Sequence, residues 1–146
     1  KEAFNEAIKY SNKTAMSLSD KFCVDRHKKS FVDLVKNKLD IIFANEQEIL
    51  ELIDAKSFDE VISFGKYLNK TLVITRSDKG SIAINKSEVV ECESQKDIRI
   101  VDLTGAGDLF AAGFLHGLIN KMTIKDSLNK GTEMASKVIQ ILGARL

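Results

Sequence analysis

Two uninterrupted apolar runs, Ile41-Ile42-Phe43-Ala44 and Leu72-Val73-Ile74, constrain this chain most. A strand with one wet face alternates apolar and polar residues. A continuous run of branched side chains marks a strand covered on both faces. Such a strand needs helices above and below it, and the intervening sequence supplies them. Arg26 to Lys38 sets Phe31, Leu34 and Val35 at helical spacing with charges opposite. Glu46 to Ile53 reads as a short helix, and Ser57-Phe-Asp-Glu60 is a capping-box match that opens a helix through Leu68. Upstream, Glu2 to Ser11 puts Phe4, Ala7 and Ile8 on one helical face, and Thr14 to Leu18 reads as a short buried strand. This alternation predicts an α/β fold, a mostly parallel sheet covered by helices.

The rhythm then changes. Ser81–Ile84 and Val89–Cys92 are expected to form a β-hairpin across Asn85-Lys86, and Ile98–Val101 to add a strand. Asp108 to Lys121 reads as a helix with Phe110, Phe114 and Leu118 at every fourth position. A last helical stretch is expected from Thr123 to Leu142, with Gly131 as a break within it. Proline is absent, so glycine, asparagine and charge clusters must mark the turns.

Composition narrows the class. With 146 residues, 44% hydrophobic and 29% charged, a real core is expected and disorder is not. Lys+Arg total 22 against 21 Asp+Glu, and the charges are interspersed, so no nucleic-acid partner is expected. No apolar run approaches membrane-spanning length, and the first residues look unlike an export signal. The expectation is a cytoplasmic chain with no membrane partner. Cys23 and Cys92 are expected to be reduced packing residues. His27 and His116 have no second ligand at zinc spacing. A start at Lys1, with no Met, is expected of a chain that begins inside a longer reading frame.

In wound α/β sheets, ligands gather beyond the carboxyl ends of the strands. That directs attention to the residues after Phe43, Ile74 and Val101. After Val101 comes Asp102-Leu-Thr-Gly-Ala-Gly-Asp108, a turn running into a helix. Glycines let backbone N–H groups approach an oxyanion, and a helix start offers unpaired donors with partial positive charge. A carboxylate there is badly placed merely to meet a phosphate. Asp108 makes sense as a base taking a proton from a hydroxyl that attacks phosphorus. The alternative is a plain glycine turn with Asp108 capping a helix.

The longer string resembles the signature Asp-Thr-x-Gly-Ala-Gly-Asp of the ribokinase-like, or PfkB-type, carbohydrate and nucleoside kinases, with Leu103 where Thr is usual. The resemblance implies a three-layer α/β/α sandwich, here its C-terminal half. It implies Asp108 as general base, with Gly105, Ala106 and Gly107 forming an anion hole for the γ-phosphate of ATP. Asn45-Glu-Gln-Glu48 is similar to the family's Asn-x-x-Glu motif, which helps to organise Mg2+, water and phosphate, with Glu48 acting through water. Thr75-Arg-Ser-Asp-Lys-Gly80 resembles its Thr-x-Gly-x-x-Gly nucleotide loop, with Ser77 replacing the middle glycine. Thr75, Ser77, Gly80 and Thr104 become nucleotide-binding candidates. Thr132 sits where relatives often carry Asn or His near the adenine. Asp102 and the backbone near Gly143 fall where the family holds a monovalent cation such as K+.

Leu18 to His27, Phe43-Ala-Asn-Glu46 and Ala135-Ser-Lys-Val138 are similar to stretches of the adenosine-kinase-like branch. The function implied is ATP-dependent phosphorylation of a hydroxyl on a small sugar or nucleoside. These residues are expected to hold the ATP side and the base, to lack most acceptor contacts, and to be inactive alone. A second copy is a candidate cover for the exposed core face. A rival is a non-catalytic nucleotide-binding or structural fragment. A dinucleotide oxidoreductase is disfavoured, because Gly-x-Gly-x-x-Gly is absent.

Overall fold

A computed structural model describes residues 2–145, apart from the side chains of residues 2–4. The strands are β1 (Ala15–Ser17), β2 (Ile41–Asn45), β3 (Thr71–Thr75), β4 (Ser81–Asn85) and β5 (Glu88–Cys92). The helices are α1 (Glu2–Tyr10), α2 (Lys21–Asn37), α3 (Glu46–Ile53), α4 (Phe58–Leu68), α5 (Ala106–Ile119) and α6 (Ile124–Val138). One sheet carries the strands in the order β1-β2-β3-β4-β5. β1 is parallel to β2, with Ala15 opposite Ile41 and Ser17 opposite Phe43. Among the described residues, no helix is long and apolar enough to cross a membrane. The chain divides into two compact units, Lys1–Ile74 with Ile84–Glu88, and Thr75–Ala83 with Val89–Leu146.

In the first unit the two apolar runs are the core. Ile41 to Ala44 and Leu72 to Ile74 are all buried. Each Ile, Leu, Val or Phe among them contributes about 1.5–3 kcal/mol on burial, more than the roughly 1 kcal/mol of a helix cap. The runs therefore set the architecture and the caps set helix ends. Asp20 caps α2 by accepting the Phe22 N–H, and α2 buries Val24 and Val35. Ser57 accepts the Glu60 N–H at 3.4 Å, while Glu60 reaches past the cap to the Lys56 N–H at 3.1 Å. Gly65 lies where a Cβ would come within 2.8 Å of the Ile84 Cδ1, which lets α4 approach that side chain.

Two expectations need correction here. The first strand is shorter than Thr14–Leu18 and is largely exposed, because it lies at the end of the sheet with β2 as its neighbour. Only Leu18, just past it, is fully buried. The apolar face of α1 is uncovered at Ala7 and Ile8, and the Phe4 side chain falls outside the described residues. Cys23 is likewise exposed, so packing explains Cys92 alone.

The hairpin of β4 and β5 forms with its turn at Lys86-Ser87, one residue later than expected. Lys86 takes the left-handed conformation that a two-residue turn needs (φ 57°), leaving Asn85 within β4. Ile98–Val101 is not a strand. The N–H groups of Val101 and Asp102 donate to the Ile139 carbonyl at 2.8 and 3.2 Å, so this backbone is satisfied by the segment after α6. Nor does Gly131 break the last helix: α6 runs through it and ends at Val138, short of Leu142. The reason is the packing of α5 on α6. A Cβ at Gly131 would stand 2.8 Å from the Phe110 carbonyl oxygen, and one at Gly113 would stand 2.7 Å from that of Lys130. The two backbones meet through glycines, and Phe110 and Phe114 are buried around the crossing.

Alanine at Gly113 gains about 1 kcal/mol in helix propensity, but its methyl meets a backbone carbonyl that cannot rotate away. Gly113→Ala and Gly131→Ala are each expected to lower stability by about 1–2 kcal/mol net, read from denaturant midpoints.

Candidate functional site

The start of α5 is built by its preceding loop. Asp102 Oδ1 accepts both the Thr104 N–H and the Thr104 hydroxyl, at 2.9 and 2.7 Å. Asp102 Oδ2 accepts the Gly143 N–H at 2.9 Å. The Thr104 hydroxyl, then its N–H, then the Gly143 N–H favour the ionised form and hold the Asp102 carboxyl below its ordinary value. Next comes Gly105 at φ 80°, where a Cβ would lie 2.7 Å from that of Ala144. Glycine is required there for both conformation and space.

Gly105 is the N-cap of α5 and offers no capping side chain. Of the four amides from Gly105 to Asp108, that of Ala106 donates to the Leu103 carbonyl at 3.2 Å. Those of Gly105, Gly107 and Asp108 have no acceptor among the described residues. Gly107 sits in the first turn with nothing within 4 Å of a built Cβ. Its packing would admit alanine. Asp108 is exposed, and its carboxylate makes no hydrogen bond or ion pair among the described residues.

Thr75 ends β3, and a single 3-10 turn, Ser77–Lys79, leads to Gly80. Gly80 has φ 86°, and a Cβ there would fall 2.0 Å from the Cys92 carbonyl oxygen. Its N–H donates to the Ser77 carbonyl at 3.1 Å, so its first role is to bring this turn onto the end of β5. Ser77 is exposed and left-handed, with φ 53°. Thr132 lies half-buried on α6, its hydroxyl 3.6 Å from the Cys92 Sγ. That thiol also donates to the Asn129 Oδ1 at 2.9 Å. Asn129 was not singled out from sequence, although it precedes Thr132 by one helical turn. Ala144 was missed too, since nothing local marks it as the wall behind Gly105.

In the first unit, Asn45 and Glu48 form a reciprocal cap on α3. The Asn45 Oδ1 accepts the Glu48 N–H at 2.8 Å, and Glu48 Oε2 accepts the Asn45 N–H at 2.9 Å. The Asn45 Nδ2 donates to Glu48 Oε1 at 2.8 Å. Glu48 is only 5% exposed, which is unusual for a cap residue. Burial pushes its carboxyl pKa up, the Asn45 N–H pulls against that, and the Asp20 charge adds to the rise.

The chain matches, over residues 1–146, the family model described as pfkB family carbohydrate kinase. It belongs to the PfkB carbohydrate kinase family. It is 31% identical over 110 residues to an ATP-dependent 6-phosphofructokinase of Thermoanaerobacterium thermosaccharolyticum, covering 73% of this chain and 33% of that protein. The crystal structure of adenosine kinase from Sinorhizobium meliloti matches with a TM-score of 0.92 and 36% identity, over 99% of this chain and 45% of that one. A probable sugar kinase from Rhizobium etli matches with a TM-score of 0.91 and 36% identity, over 99% of this chain and 44% of that one. The chain therefore spans about a third of that curated relative and under half of these solved ones. Its mostly parallel sheet with helices is their ribokinase-like α/β fold.

Membership gives the Ser77 backbone a meaning. The family string resembled by Thr75–Gly80 has glycine at this position, and the left-handed φ explains why. Serine here carries strain that glycine would not. Among the described residues no group of three metal-binding side chains forms. A hard cation such as Mg2+ keeps several of its waters. Each Glu48 oxygen takes one hydrogen bond from Asn45 and retains a lone pair for a water of such an ion. At Asp102 all three contacts come from N–H or O–H donors. Asp102 Oδ2 takes one hydrogen bond and, like each Glu48 oxygen, retains a lone pair.

Two substitutions check these local arguments. Ser77→Gly is expected to raise stability by about 0.5–1 kcal/mol, the released strain exceeding the entropy cost of glycine. Glu48 has a raised folded pKa, so the folded state binds more protons than the unfolded one above the ordinary value of 4.5. Its contribution to stability therefore falls as pH rises through the raised value. Glu48→Gln keeps one capping acceptor and removes that charge. It is expected to remain within about 1 kcal/mol of the parent at pH 7 and to flatten the pH dependence of unfolding, whereas Glu48→Ala loses about 1–2 kcal/mol.

Proposed function

We propose that residues 1–146 are the C-terminal, nucleotide-side and catalytic part of a kinase domain that phosphorylates a hydroxyl of a sugar or nucleoside with ATP. The observation that carries this reading is the pairing at the start of α5. Three amides without acceptors and an exposed, unpartnered Asp108 occupy the same helical turn, beside a glycine whose missing side chain nothing in the chain requires. A carboxylate that only capped the helix would bond to the backbone amides, and this one does not.

In this reading Asp108 takes the proton of the acceptor hydroxyl as its oxygen attacks the γ-phosphorus. The bond from that phosphorus to the β–γ bridging oxygen breaks, and ADP leaves. The Gly105, Gly107 and Asp108 amides hold the charge that develops on the transferred phosphoryl group. The Ala106 amide is already bonded within the turn and contributes shape. Thr75, Ser77, Gly80, Thr104 and Thr132 line the nucleotide side. Asn45 and Glu48 would hold water of a Mg2+ ion, which would supply positive charge against that of the phosphates. The relatives bear names as different as 6-phosphofructokinase and adenosine kinase, so the acceptor belongs to the sugar and nucleoside class as a whole.

Asp108→Asn in the full-length protein is expected to lower kcat by about 10²–10⁴, with unfolding unchanged. Turnover near the parent value would sink the base assignment, and ADP release with no sugar or nucleoside acceptor would sink the kinase reading. Glu48→Gln is expected to raise the Mg2+ concentration needed for half-maximal turnover while the fold persists.

A further inference from the structure

Among the described residues, the buried side-chain oxygen that lacks a hydrogen-bond partner is the Ser81 Oγ. Ser81 opens β4, directly after Gly80, and is only 3% exposed. A buried hydroxyl without a partner has lost its bond to water and gained none, so folded chains keep few of them. Alanine would avoid that cost, and Ala83, two residues on along the same face, is fully buried. The chain by itself therefore does not account for the Ser81 hydroxyl. Its neighbour across the sheet is Thr75. β3 and β4 lie side by side with only residues 76–80 between them, too few for a parallel crossover. The Arg76 N–H donates to the Gly80 carbonyl at 2.8 Å. That bond flanks an antiparallel pair in which Thr75 stands opposite Ser81, at the closer, non-hydrogen-bonded spacing. Opposed side chains project from one face with Cβ atoms about 4.5–5.5 Å apart, the spacing across which Thr and Ser hydroxyls bond.

We infer that Ser81 is a positioning residue for the nucleotide and acts through Thr75. This rests on the kinase reading above, in which Thr75 lies on the nucleotide side and meets a phosphate. Phosphate oxygens only accept, so the Thr75 hydroxyl must give its proton to them. Its oxygen is then left with lone pairs and needs a donor behind it. The Ser81 hydroxyl, turned about its Cα–Cβ bond, is that donor. Ser81 O–H to Thr75 O–H to phosphate is a chain of donors running one way, in which each bond polarises the next. Burial suits Ser81 to this part, because neither water nor another acceptor competes for its proton. Without nucleotide the Thr75 hydroxyl has no anion to fix its direction, and the two hydroxyls are not bonded to each other. The hydroxyl thus costs stability in the free chain and returns it as affinity in the complex.

The test uses the full-length protein carrying Ser81→Ala, Thr75→Val, or both. Binding of ATP–Mg2+ is read by calorimetry, and stability by thermal melts without nucleotide. Neither measurement needs an acceptor. Ser81→Ala is expected to weaken ATP–Mg2+ binding about five- to tenfold. The same change is expected to raise the melting temperature of the nucleotide-free protein by about 2–4 °C. A hydroxyl of purely structural value would leave binding where it was. In the Thr75→Val background, Ser81→Ala should cost less than about twofold, because the acceptor of its proton is already gone. Equal binding by the parent and Ser81→Ala, a lower melting temperature in Ser81→Ala, or the same loss in both backgrounds would overturn the inference. The parent protein keeps the two ideas apart. If it does not bind ATP–Mg2+, the kinase reading fails and takes this inference with it. If it binds and Ser81→Ala binds as tightly, only the role of Ser81 fails.

Discussion

The contact of α5 with α6, glycine against backbone, is the constraint on which the second unit depends. Gly113, Gly117 and Gly131 leave no room for a methyl at the crossing. The axis of α5 is thereby set by backbone atoms, which have no rotamers to relax. Everything proposed for the start of α5 follows from that axis. The amides at the start of α5 point along it, and Asp108 stands in its first turn. The same partner helix hands on to the segment that supplies the Ile139 carbonyl, the Gly143 N–H and Ala144. One packing decision thus places both the donors and the wall behind them.

Glu48 is a cap residue whose charge exceeds what capping requires. As a cap it needs only an acceptor at the third helical position, and glutamine would nearly suffice. A buried carboxylate is a poor choice for that task, because desolvation works against its charge. The surplus is intelligible if the charge serves something outside the chain. Gly107 makes a parallel case. The packing around it would tolerate alanine, so the chain alone does not account for glycine there.

The uninterrupted runs in β2 and β3 were legible because continuous apolar sequence has few other uses. The boundaries of α3 were equally plain, since Asn45 and Glu48 announce a cap. Ile98–Val101 misled because three apolar residues in four look like a strand, while their hydrogen-bond partner, the Ile139 carbonyl, is remote in sequence. Gly131 misled in the opposite sense. Glycine within a helix usually weakens it, and only the neighbouring Phe110 carbonyl shows why this one is tolerated. Asn45-x-x-Glu48 was recognisable as a motif, but its burial was not.

The sequence by itself determined the α/β class, the order of its motifs and the residues proposed to bind phosphate and move a proton. These depend on local pattern: apolar runs, helical spacing, and glycine followed by a carboxylate. Tertiary structure alone decided that Asp102 is tied to Gly143, that the Ala106 amide is spent inside the turn, that Glu48 is buried, and that Ser77 carries the left-handed backbone in place of glycine. Each of these depends on which distant backbone group arrives beside a residue or on the path the chain is forced to take. Packing of whole elements settles that, and no local pattern encodes it.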